Sequence, residues 1–171
     1  MTTAEDRRIG RPRSAAADEA IVEAAVDEFV EYGYAGLSFE GVAARAGVGK
    51  TTVYRRYASK LELVMAACDR ICEQKGPTPD TGVLRSDLIE LARGYRRMMT
   101  STVAGKAIPA MMAAKVHEPE LAEAHEAWLR ERRVAAREII HRAIERGELP
   151  SDADAEVCLD QITGPIFYRI F

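Results

Sequence analysis

The sequence predicts an all-α fold, and three observations carry that expectation. Apolar residues recur three and four apart almost from end to end, the spacing that gives a helix one buried face. Glycines and prolines fall mostly between these stretches, where they read as helix ends. No Val/Ile-rich run is available to build a parallel sheet. The 171 residues suffice for a small domain joined to a larger helical one.

Taken in order, residues 1–13 form a polar arm in which Arg7, Arg8, Arg11 and Arg13 surround Gly10 and Pro12. An extended Gly-Arg-Pro segment resembles an AT-hook core, and arginine is drawn into a narrow A·T-rich minor groove by its negative potential. Arg11 and Arg13 are the expected contacts; the plain alternative is a solvated tail. A first helix is expected over 14–32, with Ile21, Val22, Ala25, Val26, Phe29 and Val30 on its buried stripe, stopped by Gly33.

Residues 37–63 read as two short helices around a tight turn, followed by the start of a longer helix. Ser38 caps the first helix, whose buried face is Phe39, Val42, Ala43 and Ala46. Gly47 supplies the left-handed turn and Gly49 opens the second helix, which buries Val53 and Tyr57. The opposite face carries Lys50, Thr51, Tyr54, Arg55 and Arg56, donors suited to base edges and phosphates in a major groove. Tyr54 and Arg55 are the choices for base edges; Lys50, Thr51, Arg56 and Lys60 for phosphates, with Ser38 counted in the same DNA-facing set. Ser59 and Glu62 form a capping box, so a fourth helix starts at Lys60 and is expected to run to about residue 75.

Gly76-Pro77-Thr78-Pro79-Asp80 is the clearest break in the chain and marks a domain boundary. Beyond it helices are expected over 83–100, over 103–117 with Pro109 ending or kinking the first turn, and over 119–146 up to Gly147. A last helix starts near Asp152 or Asp154 and is interrupted at Gly164-Pro165. The chain then stops on an apolar stretch, which calls for a partner or a continuation not in this sequence.

Net charge is −3, but the charge is segregated. Residues 14–44 hold acids and no lysine or arginine, whereas 45–60 hold Arg45, Lys50, Arg55, Arg56 and Lys60 and no acid. A basic patch on an acidic protein is the footprint of nucleic-acid binding.

VAARAGVGKTTVYRRYASKLEL, residues 42–63, resembles the DNA-binding signature of TetR/AcrR-type one-component repressors, VAxxAGVSxxTLYxxFxSKxxL. The Ala-Gly-Val turn, Tyr54, an aromatic at 57 and Lys60 coincide at the family spacing; the departure is Gly49, where a serine or threonine cap is usual. The resemblance implies a three-helix head over 14–59, a linking helix and loop over 60–79, and a ligand-binding and dimerisation bundle over 80–171. It also implies a double-stranded DNA operator, a small-molecule effector and a homodimer; with no membrane-length run or signal segment in view, the cytoplasm is the default expectation. Relatives of this kind usually continue for one more helix, so a C-terminal tail is expected to be missing here.

Other readings are weaker. Residues 44–51 fit a loose Walker A pattern, but a P-loop needs a buried strand before it and the segment is helical, so a nucleotide-binding protein is a poor alternative. An architectural DNA binder without an effector is the second alternative. Cys68 and Cys72 lie one turn apart and read as small buried hydrophobes. His117, His125 and His141 could ligate a metal with Glu118 or Glu126, but His117 and His125 share a face only if a helix runs unbroken through Pro119; solvated or core histidines, no metal and no cofactor are expected. No apolar run reaches membrane-span length, and no nucleophile elbow or defined carboxylate pair points to an enzyme. Tyr95, Met98, Met111, Met112 and Trp128 fall on three neighbouring helices; they are either core filler or the lining of an adaptable ligand cavity.

Overall fold

The computed structural model describes residues 15–72 and 78–171. Arg11, Arg13 and the rest of the predicted arm lie outside the described residues, as do residues 73–77. Among the described residues there are nine helices and no strand: α1 (Ala15–Gly36), α2 (Phe39–Arg45), α3 (Lys50–Arg56), α4 (Lys60–Cys72), α5 (Leu84–Ser101), α6 (Ala104–Lys115), α7 (Pro119–Arg132), α8 (Val134–Glu145) and α9 (Ala155–Ile170).

The long helix α1 is the axis of the molecule. It buries Ile21, Ala25 and Phe29 and packs against α2, α4 and α6. Gly33 does break its ladder, adopting φ 66 and ψ −176, but one further turn follows before Leu37 enters the core. The apolar interior is continuous from α1–α4 into Ala104, Ala107 and Met111 of α6 and Leu121 of α7. Burial of Met111 there contributes about 1.5–3 kcal/mol, which helps to fasten α6 to the head. Around the 78–83 loop, the buried carboxylate of Asp87 accepts the amide of Thr81 at 2.7 Å, and that bond holds it below the usual carboxylate range.

Three expectations need correcting. Pro109 lies inside α6 and does not end its first turn. Its missing N–H removes only one early ladder bond, and Ala104, Ala107 and Met111 anchor both sides of it in the core. The 119–146 stretch is two helices, parted at Arg133, whose ψ is −11. Arg133 is held by Glu156 and Asp160 of α9, so α7 can stay on α6 while α8 turns onto α5 and α9. Finally, α9 runs unbroken through Gly164 and Pro165. Asp154 caps its start by accepting the amides of Glu156 and Val157, and packing on α5 and α8 holds it across the proline.

One close approach lies at the turn between α5 and α6. A Cβ on Gly105 would lie 2.1 Å from the carbonyl oxygen of Met99, so α5 and α6 meet backbone to backbone. Gly105→Ala is therefore expected to destabilise the protein by about 1–3 kcal/mol through overpacking. Chemical denaturation checks it; an unchanged midpoint would mean that the two helices separate without cost.

Candidate nucleic-acid interface and ligand cavity

The α2–α3 unit is built by local signals. The Ser38 hydroxyl accepts the amide of Gly41 at 3.0 Å, and Gly47 turns the chain at φ 66, a conformation costly for any residue with a Cβ. Val48 then bonds back to the Ala43 carbonyl at 3.0 Å, and Gly49 caps α3 without a side chain. Val53 is fully buried against the head core, which fixes the roll of α3. Residues 44–51 thus form a helix, a turn and a helix start, with no strand before the turn to make a P-loop.

That roll exposes Lys50, Thr51, Tyr54 and Arg55. Tyr54 is 54% exposed, with its ring 4.7 Å from that of Phe39 and its hydroxyl donating to Glu40 at 3.1 Å. The Glu40 carboxylate also lies 3.7 Å from Lys50 Nζ, so α2 orients two residues of the exposed face of α3. Hydrogen bonds from its own amide and from Tyr54 keep Glu40 below the ordinary carboxylate range. Arg55 forms no ion pair among the described residues and points outward.

Two cations selected from the sequence are employed inside the protein. Arg56 donates to Asp18 of α1, and its side chain is only 10% exposed. Lys60 donates to the carbonyls of Tyr34 and Ala35 at 3.0 and 3.1 Å, closing the end of α1 beyond Gly33, and sits 5.2 Å from the Tyr34 ring centroid. Lysine near a helix C-terminus satisfies open carbonyls and the helix dipole together. Acids of α1 also take Arg45 (Glu28 and Glu31) and Arg70 (Glu19 and Glu23). Part of the segregated charge is therefore spent joining α1 to α2, α3 and α4. Half of the capping box forms as expected, Ser59 accepting from Glu62 N at 3.1 Å, while Glu62 reaches one residue further back and accepts from Ala58 N at 2.7 Å.

Tyr95, Met98, Met111, Met112 and Trp128 all line one cavity of about 1060 Å³. Its floor is the inner face of α4, through Val64, Ala67, Cys68 and Ile71. Burial pushes the Cys68 thiol up to about 12, so it stays protonated. His125 and Arg132, which carry no distinctive sequence signal, complete the wall. The indole of Trp128 donates to Asp69 of α4 at 2.8 Å, and Arg132 pairs with the same carboxylate. His125 stacks on Trp128 with centroids 5.5 Å apart, and burial lowers its pKa, leaving the ring neutral. Among the described residues no group of three or more potential metal ligands assembles, and no helix is long and apolar enough to cross a membrane.

Comparison with known proteins agrees with this arrangement. Residues 21–67 match the family model for bacterial regulatory proteins of the tetR family, and residues 78–171 match that of the tetracyclin repressor-like C-terminal domain. An uncharacterized HTH-type transcriptional regulator of Bacillus subtilis, YdeS, is 33% identical over 162 residues, covering 94% of this chain and 81% of its own. A DNA-binding transcriptional repressor TetR of Mycobacteroides abscessus is 31% identical over 163 residues, covering 94% and 83%. The crystal structure of the TetR family transcription regulator SCO0332 superposes with a TM-score of 0.69 at 31% identity, covering 90% of this chain and 85% of that one. The chain belongs to the TetR family of helix-turn-helix transcriptional regulators.

Proposed function

We propose that the protein is a repressor that binds a palindromic operator as a two-fold dimer and is released by a small, largely apolar effector. The observation that carries this reading is the double duty of α4. The helix begins at the capping box behind α3 and forms the floor of the cavity, so a ligand that moves it must also move the DNA-reading face. The M. abscessus relative, itself described as a repressor, supports the sign of the control. The division of labour is a head over 14–59, a link over 60–79 and an effector and dimer bundle over 80–171. Tyr54 and Arg55 read bases, and Lys50 and Thr51 hold phosphates. Ser38, Arg56 and Lys60 act by shaping the head that presents them. Arg11 and Arg13 reach the minor groove, a share read from the salt slope of a chain lacking residues 1–13.

The partner surface is the outer face of α8 and α9, where Val134, Val157 and Tyr168 are exposed, Tyr168 by 84%. Two heads related by that face read half-sites about one DNA turn, or a multiple, apart. The test is direct. Select an operator from random DNA, weigh the complex by sedimentation, and titrate hydrophobic compounds against Trp128, the single tryptophan, with and without operator. A releasing effector should bind about a hundredfold more weakly to the DNA complex, since allosteric coupling is reciprocal and about 2.7 kcal/mol suffices. A monomer on DNA, or ligands indifferent to operator, would refute the dimer and the release respectively.

A further inference from the structure

The polar groups around the cavity are unevenly satisfied. Each carboxylate on its wall has an arginine: Glu90 is 3.0 Å from Arg93, Asp80 is 3.4 Å from Arg142 and Asp160 is 2.8 Å from Arg133. Of the wall's own arginines, Arg132 is taken by Asp69 and Arg133 by Glu156 and Asp160. Arg97, on the exposed side of α5, makes no ion pair or hydrogen bond among the described residues. His125 is 8% exposed, and its Nδ1 is buried with no hydrogen-bond partner. A buried polar atom left without a partner costs about 1–3 kcal/mol, so a group that supplies one is favoured.

These two unmet groups ask for different chemistry. Arg97 is exposed, so an anion beside it keeps part of its hydration while gaining a charge-assisted hydrogen bond. His125 is neutral and buried, where losing hydration costs an anion far more than an uncharged oxygen, whose lost water the imidazole replaces. We propose that the cavity takes an anionic amphiphile: its charged end sits on Arg97, its apolar body lies against Trp128 and the methionines, and a hydroxyl or carbonyl along that body bonds His125. With the wall carboxylates already neutralised, a cationic amphiphile finds no counter-charge. The inference rests on the cavity being the effector site but concerns binding alone.

Titration calorimetry on the whole protein without DNA tests it, with dodecanoate, dodecyltrimethylammonium and the positional series of mono-hydroxydodecanoates as probes. Dodecanoate should bind about tenfold tighter than the ammonium, and Arg97→Gln should abolish that preference. At least one hydroxy isomer should gain about fivefold over dodecanoate. The gain should vanish in His125→Phe, which keeps the stack on Trp128, and persist in His125→Gln, which keeps a hydrogen-bonding group. Equal or tighter binding of the ammonium, a preference that survives Arg97→Gln, a gain that survives His125→Phe, or no binding at all would each overturn the assignment. Selective binding that leaves operator affinity unchanged would uphold it and refute the release mechanism instead.

Discussion

Arg55→Ala is expected to weaken operator binding by about 1–3 kcal/mol and to relax discrimination at one operator position, whereas Arg56→Ala should relax none. The two arginines are neighbours in sequence and opposite in fate. Val53 sets the roll of α3, which leaves Arg55 facing out and turns Arg56 back onto Asp18 of α1. Arg56 is thus a clasp between α3 and α1, with its side chain only 10% exposed. Its loss removes a well-covered side chain and its ion pair to Asp18, whose carboxylate is 41% exposed and stays hydrated, and should lower stability by about 1 kcal/mol. DNA binding by Arg56→Ala should fall alike for all sequences, with the salt slope kept, because no phosphate contact has gone. Binding to a panel of single-base operator variants, together with thermal melts of both proteins, separates the cases. If Arg56→Ala melts normally and loses selectivity at one base pair, the roles are reversed.

That contrast shows where sequence reasoning stopped. Ser38, Gly47, Gly49 and the Ser59–Glu62 box act within a few residues of themselves, so their meaning is written locally, and each does what its spacing implied but for Glu62, which reaches one residue further back. The polar face of α3 could likewise be drawn from periodicity. What periodicity lacks is the neighbour behind: it cannot show that Asp18 meets Arg56, or that Gly33 opens carbonyls that Lys60 closes. The same limit explains the helix boundaries. Proline signals a break unless packing on both sides outweighs one lost bond, as at Pro109 and Pro165, while the break at Arg133 has no glycine or proline to announce it. The cavity was half legible. Apolar and aromatic residues on three helices suggested a common lining, but His125 and Asp69 looked like ordinary polar residues of amphipathic helices until their partners were in place.

Asp69→Ala is expected to separate ligand binding from DNA release. Asp69 stands on the outer side of α4 and receives both the Trp128 indole, at 2.8 Å, and the Arg132 guanidinium from α7. Trp128 is at once cavity wall and donor to α4, so a ligand pressing on it draws on a polar link that has one partner geometry and little slack. The apolar floor of α4 can slide by small repacking, and flexible methionines would absorb much of a ligand's push. A directed hydrogen bond fails or holds over a few tenths of an ångström. If release proceeds as proposed, with a coupling of about 2.7 kcal/mol, transmission through Asp69 should carry most of it, and its removal should leave about 1 kcal/mol or less. Free Asp69→Ala should bind operator within about threefold of the parent, since neither α3 nor the capping box is touched. Asp69→Asn, which keeps an acceptor for the indole but loses the charge facing Arg132, should fall between. Calorimetric ligand affinities, measured with and without operator, give the coupling for all three proteins. If the alanine variant keeps the full factor, the signal travels through the α1–α4 apolar contacts, and the Trp128–Asp69 bond only holds the wall in place.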